Sequence, residues 1–220
     1  MITNKDLFQN MDKTIAGELF EQTTYPWEIL PLIHDFILKI GPTLSKEDFE
    51  EIHENVWIAK SATIARTAEI NGPCIIGANT EVRPGAFIRG NALIGEHCVV
   101  GNSTEIKNDI LFNNVQVPHY NYVGDSILGY KSHMGAGSIT SNVKSDKTNV
   151  VIKYENNKIE TGMKKIGAIL GDEVEVGCGS ILNPGSIIGG YTNIYPLSMV
   201  RGYIKDHSIY KNAGEIAQKN

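Results

Sequence analysis

A chain of 220 residues with 41% hydrophobic and 20% charged residues can bury one sizeable core, with room for a small satellite. Its formal charge of −5 works against a general nucleic-acid surface, which needs a basic face to neutralise phosphates. Three cysteines (Cys74, Cys98, Cys178) without CxxC spacing suggest neither a disulfide framework nor a thiolate metal site and fit a reducing cytoplasm, while the missing basic-then-apolar leader and an apolar tract at 29–40 broken by Pro31, His34, Asp35 and Lys39 argue against secretion or membrane spanning.

Residues 1–55 have helical periodicity. Leu7, Phe8 and Met11, then Ile15, Leu19 and Phe20, recur at three- and four-residue steps. A second helix is expected from Pro26, with Leu30, Ile33, Ile37 and Ile40 on one face, Pro31 as a kink or true start, and Gly41-Pro42 as a stop. Ser45 and Asp48 predict a third short helix to about Ile52. These helices would close the open end of whatever follows.

From Trp57 an aliphatic residue returns every sixth position: Ile58, Ile64, Ile70, Ile76, Val82, Ile88, Ile94 and Val100. Four places after each comes a slim residue: Ala62, Ala68, Cys74, Thr80, Ala86, Ala92, Cys98 and Thr104. A helix cannot hold a period of six on one face. A three-sided coil of short strands can, with about eighteen residues per turn, so the spacing predicts an all-β parallel β-helix. The units starting at Ile106 and Val123 have only five residues, which places Val100, Val117 and Met134 seventeen apart and in one stack. Residues 142–165 loop out, with a hairpin about Asn156-Asn157 and six lysines against three acids. The repeat resumes at Leu170, Val176, Leu182, Ile188 and Ile194. The expected organisation is a helical region at 1–55, a β-helix at 56–204 with its loop at 142–165, and a tail at 205–220.

Seventeen-residue stacking sets Tyr122 one coil above Glu105, and His119 between Asn102 and Ala136. Neighbouring coils lie about 4.8 Å apart. A carboxylate and an imidazole at such a corner form a general-base arrangement, in which the carboxylate orients the ring as it accepts a proton. Arg89 and Lys107, eighteen residues apart, make a vertical pair of cations suited to a phosphate. His97, His119 and His133 do not fall in one column, so no metal site is expected.

Between Val100 and Asn142 the segments VGNSTEIK, HYNYVGDS and GAGSITSN resemble the C-terminal acetyltransferase domain of the bifunctional UDP-N-acetylglucosamine pyrophosphorylase/glucosamine-1-phosphate N-acetyltransferase family. GDEVEVGCGS extends the likeness to about Val200, and residues 1–55 lie outside it. Other hexapeptide proteins share the aliphatic period, but not HxxYxGD twelve residues beyond EIK. The resemblance implies a left-handed coil, a homotrimer with sites between subunits, and acetyl-CoA as donor to an amino sugar phosphate or nucleotide-linked amino sugar. It makes His119 the base for the amine and Glu105 its orienting partner.

By the same likeness Lys107, Tyr122 and Asn142 would contact the acceptor, and Lys147 would match a loop lysine. The phosphate-binding arginine would be Arg89 by column position, although the RPG triplet points to Arg83. Ala136 and Cys178 would line the acetyl-CoA path, and Lys211 falls near a cation that meets the coenzyme phosphates. His133 stands where the family has an asparagine that helps bind the sugar, a departure that bears on acceptor identity. Residues 1–55 supply neither the glycine-rich loop nor the length of a uridylyltransferase domain. The expected activity is therefore N-acetyl transfer. A non-catalytic nucleotide-sugar-binding or scaffold coil partnered with a separate nucleotidyltransferase is the alternative.

Overall fold

The computed structural model describes residues 2–212 and 215–218. It is a left-handed parallel β-helix. Three sheets run along its length, and strands pair with those one coil away. Face one carries Val56–Ala59, Cys74–Ile76, Ala92–Ile94, Asp109–Leu111 and later equivalents; face two carries Val99–Asn102, Gln116–His119, His133–Met134 and Glu175–Val176; face three carries Phe87–Ile88, Glu105–Lys107, Tyr122–Gly124 and Ile139–Thr140. Inward aliphatics from Ile76 to Val200 are almost wholly buried, and the slim positions Thr80, Thr104, Ser138, Ser180 and Ser198 fill the gaps between them. Val117 pairs with Val100, Ile106 with Val123 and Leu111 with Leu128, which is the seventeen-residue register.

Both five-residue units shorten the same corner, from face three to face one. A regular coil turns there through Gly90 and Asn91, both at positive φ; the shortened coils turn on Asn108 (φ 59°) and Asp125 (φ 50°). The tightened turn at Asn108 leaves backbone donors pointing inward. Asp109, fully buried at a slim position, accepts them: Lys107 N–H and Ser126 N–H each donate to it at 2.7 Å. Burial pushes its carboxyl pKa up, partly offset by these two hydrogen bonds.

The helical region does not sit over the end of the coil. It lies along face one: Phe8 stacks on Phe112, Phe20 meets both edge-on with all centroids 5.1 Å apart, and Lys13 C=O accepts from Asn113 N–H. Asp172 ties it down, accepting from the Gln9 and Asn10 N–H groups and the Asn10 amide. The reason is in face one's own sequence: its outward residues Trp57, Ile75, Leu93, Ile110, Ile127 and Ile169 are apolar and need a cover. The Pro26 segment is a 3-10 helix to Leu32, and the α-helix starts two residues after Pro31, at Ile33–Ile40.

The third expected helix is instead the strand Phe49–His53, which turns at Asn55 (φ 59°) and pairs antiparallel with Val56–Ala59. An exposed first strand offers unpaired backbone groups, and pairing with them outweighs the capping signal of Ser45. The loop hairpin turns on Glu155-Asn156, since Tyr154 pairs with Asn157. Parallel pairing also continues past residue 204: Ile209 pairs with Asn193 and Tyr210 with Ile194. Among the described residues no helix is long and apolar enough to cross a membrane.

Candidate active site

Face three is the platform of the site. Strand alternation turns Ile106 into the core and Glu105 and Lys107 outward, and the parallel register puts Tyr122 beside Glu105. His119 is the last residue of its face-two strand, at the corner that leads to this platform, and its strand partner is Asn102. The backbone around His119 is held firmly: its N–H donates to Asn121 Oδ1 at 3.0 Å, and its C=O accepts from Gly137 N–H at 2.9 Å. Its exposed imidazole makes no hydrogen bond to any described residue. Asn121 itself is 2% exposed and donates to Gly135 C=O and to Ser138, so a buried amide sets the position of an exposed ring.

Glu105 is already engaged. Its Oε1 accepts from Arg89 Nη1 at 2.8 Å, and the carboxylate raises the guanidinium pKa. Arg83 pairs with Glu81, two residues before it in the chain. Arg89 is therefore the arginine that stands on the platform beside Glu105 and Tyr122. No hydrogen bond joins Glu105 to His119 among the described residues, and Glu105 Oε2 is left over for one.

At the opposite edge of face three, Lys107, Tyr122 and Asn142 meet through a residue the sequence argument did not single out. Asp125, 6% exposed at its side chain, accepts Lys107 Nζ at 3.0 Å on both oxygens, the Asn108 amide at 3.0 Å and the Asn142 amide at 2.6 Å. Asn142 also donates to the Tyr122 hydroxyl at 3.0 Å. Burial raises the Tyr122 pKa, so the phenol keeps its proton at neutral pH and can donate it outward. One step up its column, Lys107 pairs with Gly124, and Asp125 is the turn residue that follows, seventeen residues beyond Asn108. Asn121 was hidden because it occupies a slim inward position, where only size was read.

Ala136 and Cys178 rise above His119 in one column: Gly137 N–H donates to His119 C=O, and Gly179 N–H to Ala136 C=O. Both are exposed. Cys178 shares a cleft with His133, Glu175, Tyr195, Pro196 and Ile209. Lys211 is half-buried on the strand Ser208–Asn212, two residues beyond Ile209, and does not line that cleft. His133 Nδ1 shares a 2.8 Å hydrogen bond with Glu175 Oε2, its strand neighbour on face two; His133 thus lies on the Cys178 side of the corner, away from Asn142. Lys147 is exposed in a loop turn (φ 60°), and its side chain reaches none of these groups. The described residues contain no group of three His, Cys, Asp or Glu side chains close enough to hold a metal ion.

The family described as the GMPPB C-terminal domain matches residues 70–190. The bifunctional protein GlmU of Methanococcus maripaludis is 36% identical over 190 residues, covering 85% of this chain and 46% of that protein. A bifunctional sugar-1-phosphate nucleotidylyltransferase/acetyltransferase of Sulfurisphaera tokodaii is 32% identical, covering 80% of this chain and 44% of its own length. The chain thus spans a little under half the length of these curated relatives. A hexapeptide transferase family protein from Anaplasma phagocytophilum superposes over 70% of this chain and 73% of that one at 19% identity, with a TM-score of 0.38.

Proposed function

The chain belongs to the GMPPB C-terminal domain family, and from that premise we propose that it is an acetyl-CoA-dependent N-acetyltransferase whose acceptor is an amino sugar carrying a phosphate or a nucleotide. The observation that carries the proposal is the corner at His119: an imidazole without a hydrogen-bond partner among the described residues, fixed by its backbone, between a polar platform on one side and the Ala136–Cys178 column on the other.

The acceptor lies on face three. Arg89 and Lys107 meet its phosphate, the Tyr122 hydroxyl and the Asn142 amide meet sugar hydroxyls, and Lys147, which reaches none of these groups in the structure, comes in with its loop when the acceptor binds. Acetyl-CoA lies along the Ala136–Cys178 column with its pantetheine in the cleft that Tyr195, Pro196 and Ile209 make apolar, and Lys211 serves its phosphates. The amine nitrogen attacks the thioester carbonyl while His119 takes the amine proton. The C–S bond breaks, and the proton taken from the amine can be passed to the leaving thiolate. Glu105 turns its spare oxygen to the ring and stabilises the imidazolium. Cys178 lines the path and forms no covalent intermediate, since direct transfer needs none. Assembly is a homotrimer in which a second copy covers Tyr120 (65% exposed) and Leu197 (86% exposed), large apolar side chains flanking the His119–Cys178 column.

The test is release of coenzyme A thiol with glucosamine 1-phosphate and with a nucleotide-linked glucosamine, on the native chain and on His119→Ala. Turnover is expected with one of these acceptors, with kcat lowered by about 10²- to 10⁴-fold in the variant and its melting temperature unchanged. Equal turnover by the variant overturns His119 as the base.

A further inference from the structure

The helical region and the base of the loop flank an open, shallow cleft of about 490 Å3 against the far edge of face three. Lys107 and Asp125 form its floor, His34 and Pro31 come from the helical region, and Met163, Lys164 and Lys165 from the segment that follows the loop's hairpin. We propose that this cleft is a diphosphate subsite, and that it makes a nucleoside diphosphate-linked amino sugar the preferred acceptor. The proposal rests on the acceptor placement given above.

Three features lead there. Charge is the first: the cleft has three lysines against one aspartate in a chain of net charge −5. Lys107 is neutralised by Asp125, but Lys164 and Lys165 are exposed and make no ion pair with any described residue. Two uncompensated cations beside a neutralised pair attract an anion.

The second is that these lysines are placed by the fold. Val143 bridges to Lys165, and Ile166 N–H donates to Asn142 C=O, so the loop returns next to the Asn142 amide that binds Tyr122 and Asp125. The opposite wall is fixed by His34 Nδ1, which shares a 2.9 Å hydrogen bond with Asn91 Oδ1 at the corner of the coil below.

Position is the third. Arg89 and Lys107 serve one phosphate next to the sugar, and the cleft begins on the other side of Lys107. Two successive anion positions followed by the apolar edge of Pro31 and Met163 match a diphosphate continuing to a nucleoside. Coenzyme A is also a nucleoside diphosphate, but its column runs from the other corner of face three, at His119.

Calorimetric titration of the full chain with UDP-glucosamine, glucosamine 1-phosphate and coenzyme A tests this without any need for turnover. UDP-glucosamine should bind about tenfold or more tightly than glucosamine 1-phosphate, each tenfold being about 1.4 kcal/mol. The double variant Lys164→Ala/Lys165→Ala, altered only at exposed side chains, should lose that advantage with its melting temperature, glucosamine 1-phosphate affinity and coenzyme A affinity unchanged. Equal binding of the two sugars by the native chain, an undiminished preference in the variant, or a loss confined to coenzyme A each overturns the subsite. Turnover of glucosamine 1-phosphate without this preference would sink the subsite alone; lysine-dependent binding of UDP-glucosamine with no acetyl transfer would sink the enzymatic proposal alone.

Discussion

Faces one and three are built from the same hexads and share one core, yet one is dry and the other carries polar machinery. The difference is a single outward residue per coil. On face one it is Ile75, Leu93, Ile110, Ile127 and Ile169, each at most 1% exposed. On face three it is Glu69, Phe87, Glu105 and Tyr122, all at least partly exposed. A coil with two bare faces and one covered face has a fixed inside wall for its site, and the cover supplies a second wall where it overhangs the corner at Asn91.

Reversing that residue should produce the largest effect. Ile110→Glu would bury a carboxylate with no partner at a position that is 0% exposed, at a cost on the order of several kcal/mol. Thermal unfolding should show the helical region detached or the whole fold lost. Glu105→Leu, the equivalent change on face three, should leave the melting temperature within a few degrees, since that site is already solvated. If both variants melt alike, the two faces do not differ in the way described.

Next comes Asp125, the pin at the edge of face three. Asp125→Ala leaves Lys107, Asn108 and Asn142 without their shared acceptor, with an expected loss of about 3 kcal/mol in denaturant unfolding. Adding Lys107→Met should recover part of that loss, because the unpaired cation goes with it; a double-mutant cycle reads the coupling.

Much of this was legible beforehand. The inward hexads, the two shortened units and the Glu105–Tyr122 register follow from spacing, because a strand's side-chain alternation leaves no freedom once the period is known. The placement of the helices was legible too, in the apolar residue that precedes every inward aliphatic on face one, where the other faces have one only at some coils; attention to the inward period hid it. Asp125 and Asn121 were missed for another reason. Asp125 gathers the side chains of Lys107, Asn108 and Asn142 at the shortened corner, and Asn121 holds the His119 N–H from an inward slim position, so each role depends on what the fold brings to the residue and not on its own place in the repeat. The absence of a hydrogen bond from Glu105 to His119 is of the same kind: Arg89 competes for the same carboxylate, and stacking alone does not decide between them.

The smallest effect belongs to face two, which is neither covered nor charged throughout. His133 and Glu175 are 34% and 52% exposed at their side chains, so their 2.8 Å contact is a solvated pair worth at most about 1 kcal/mol. Glu175→Gln should shift the unfolding free energy by no more than that. Its kinetic effect should be selective. Because His133 shares the Cys178 cleft rather than the Asp125 cluster, releasing its ring should change KM for acetyl-CoA and leave KM for the amino sugar alone. A change in the amino-sugar KM instead would mean that His133 reaches across the His119 corner when substrate is bound, and the division of labour between faces two and three would have to be redrawn around it.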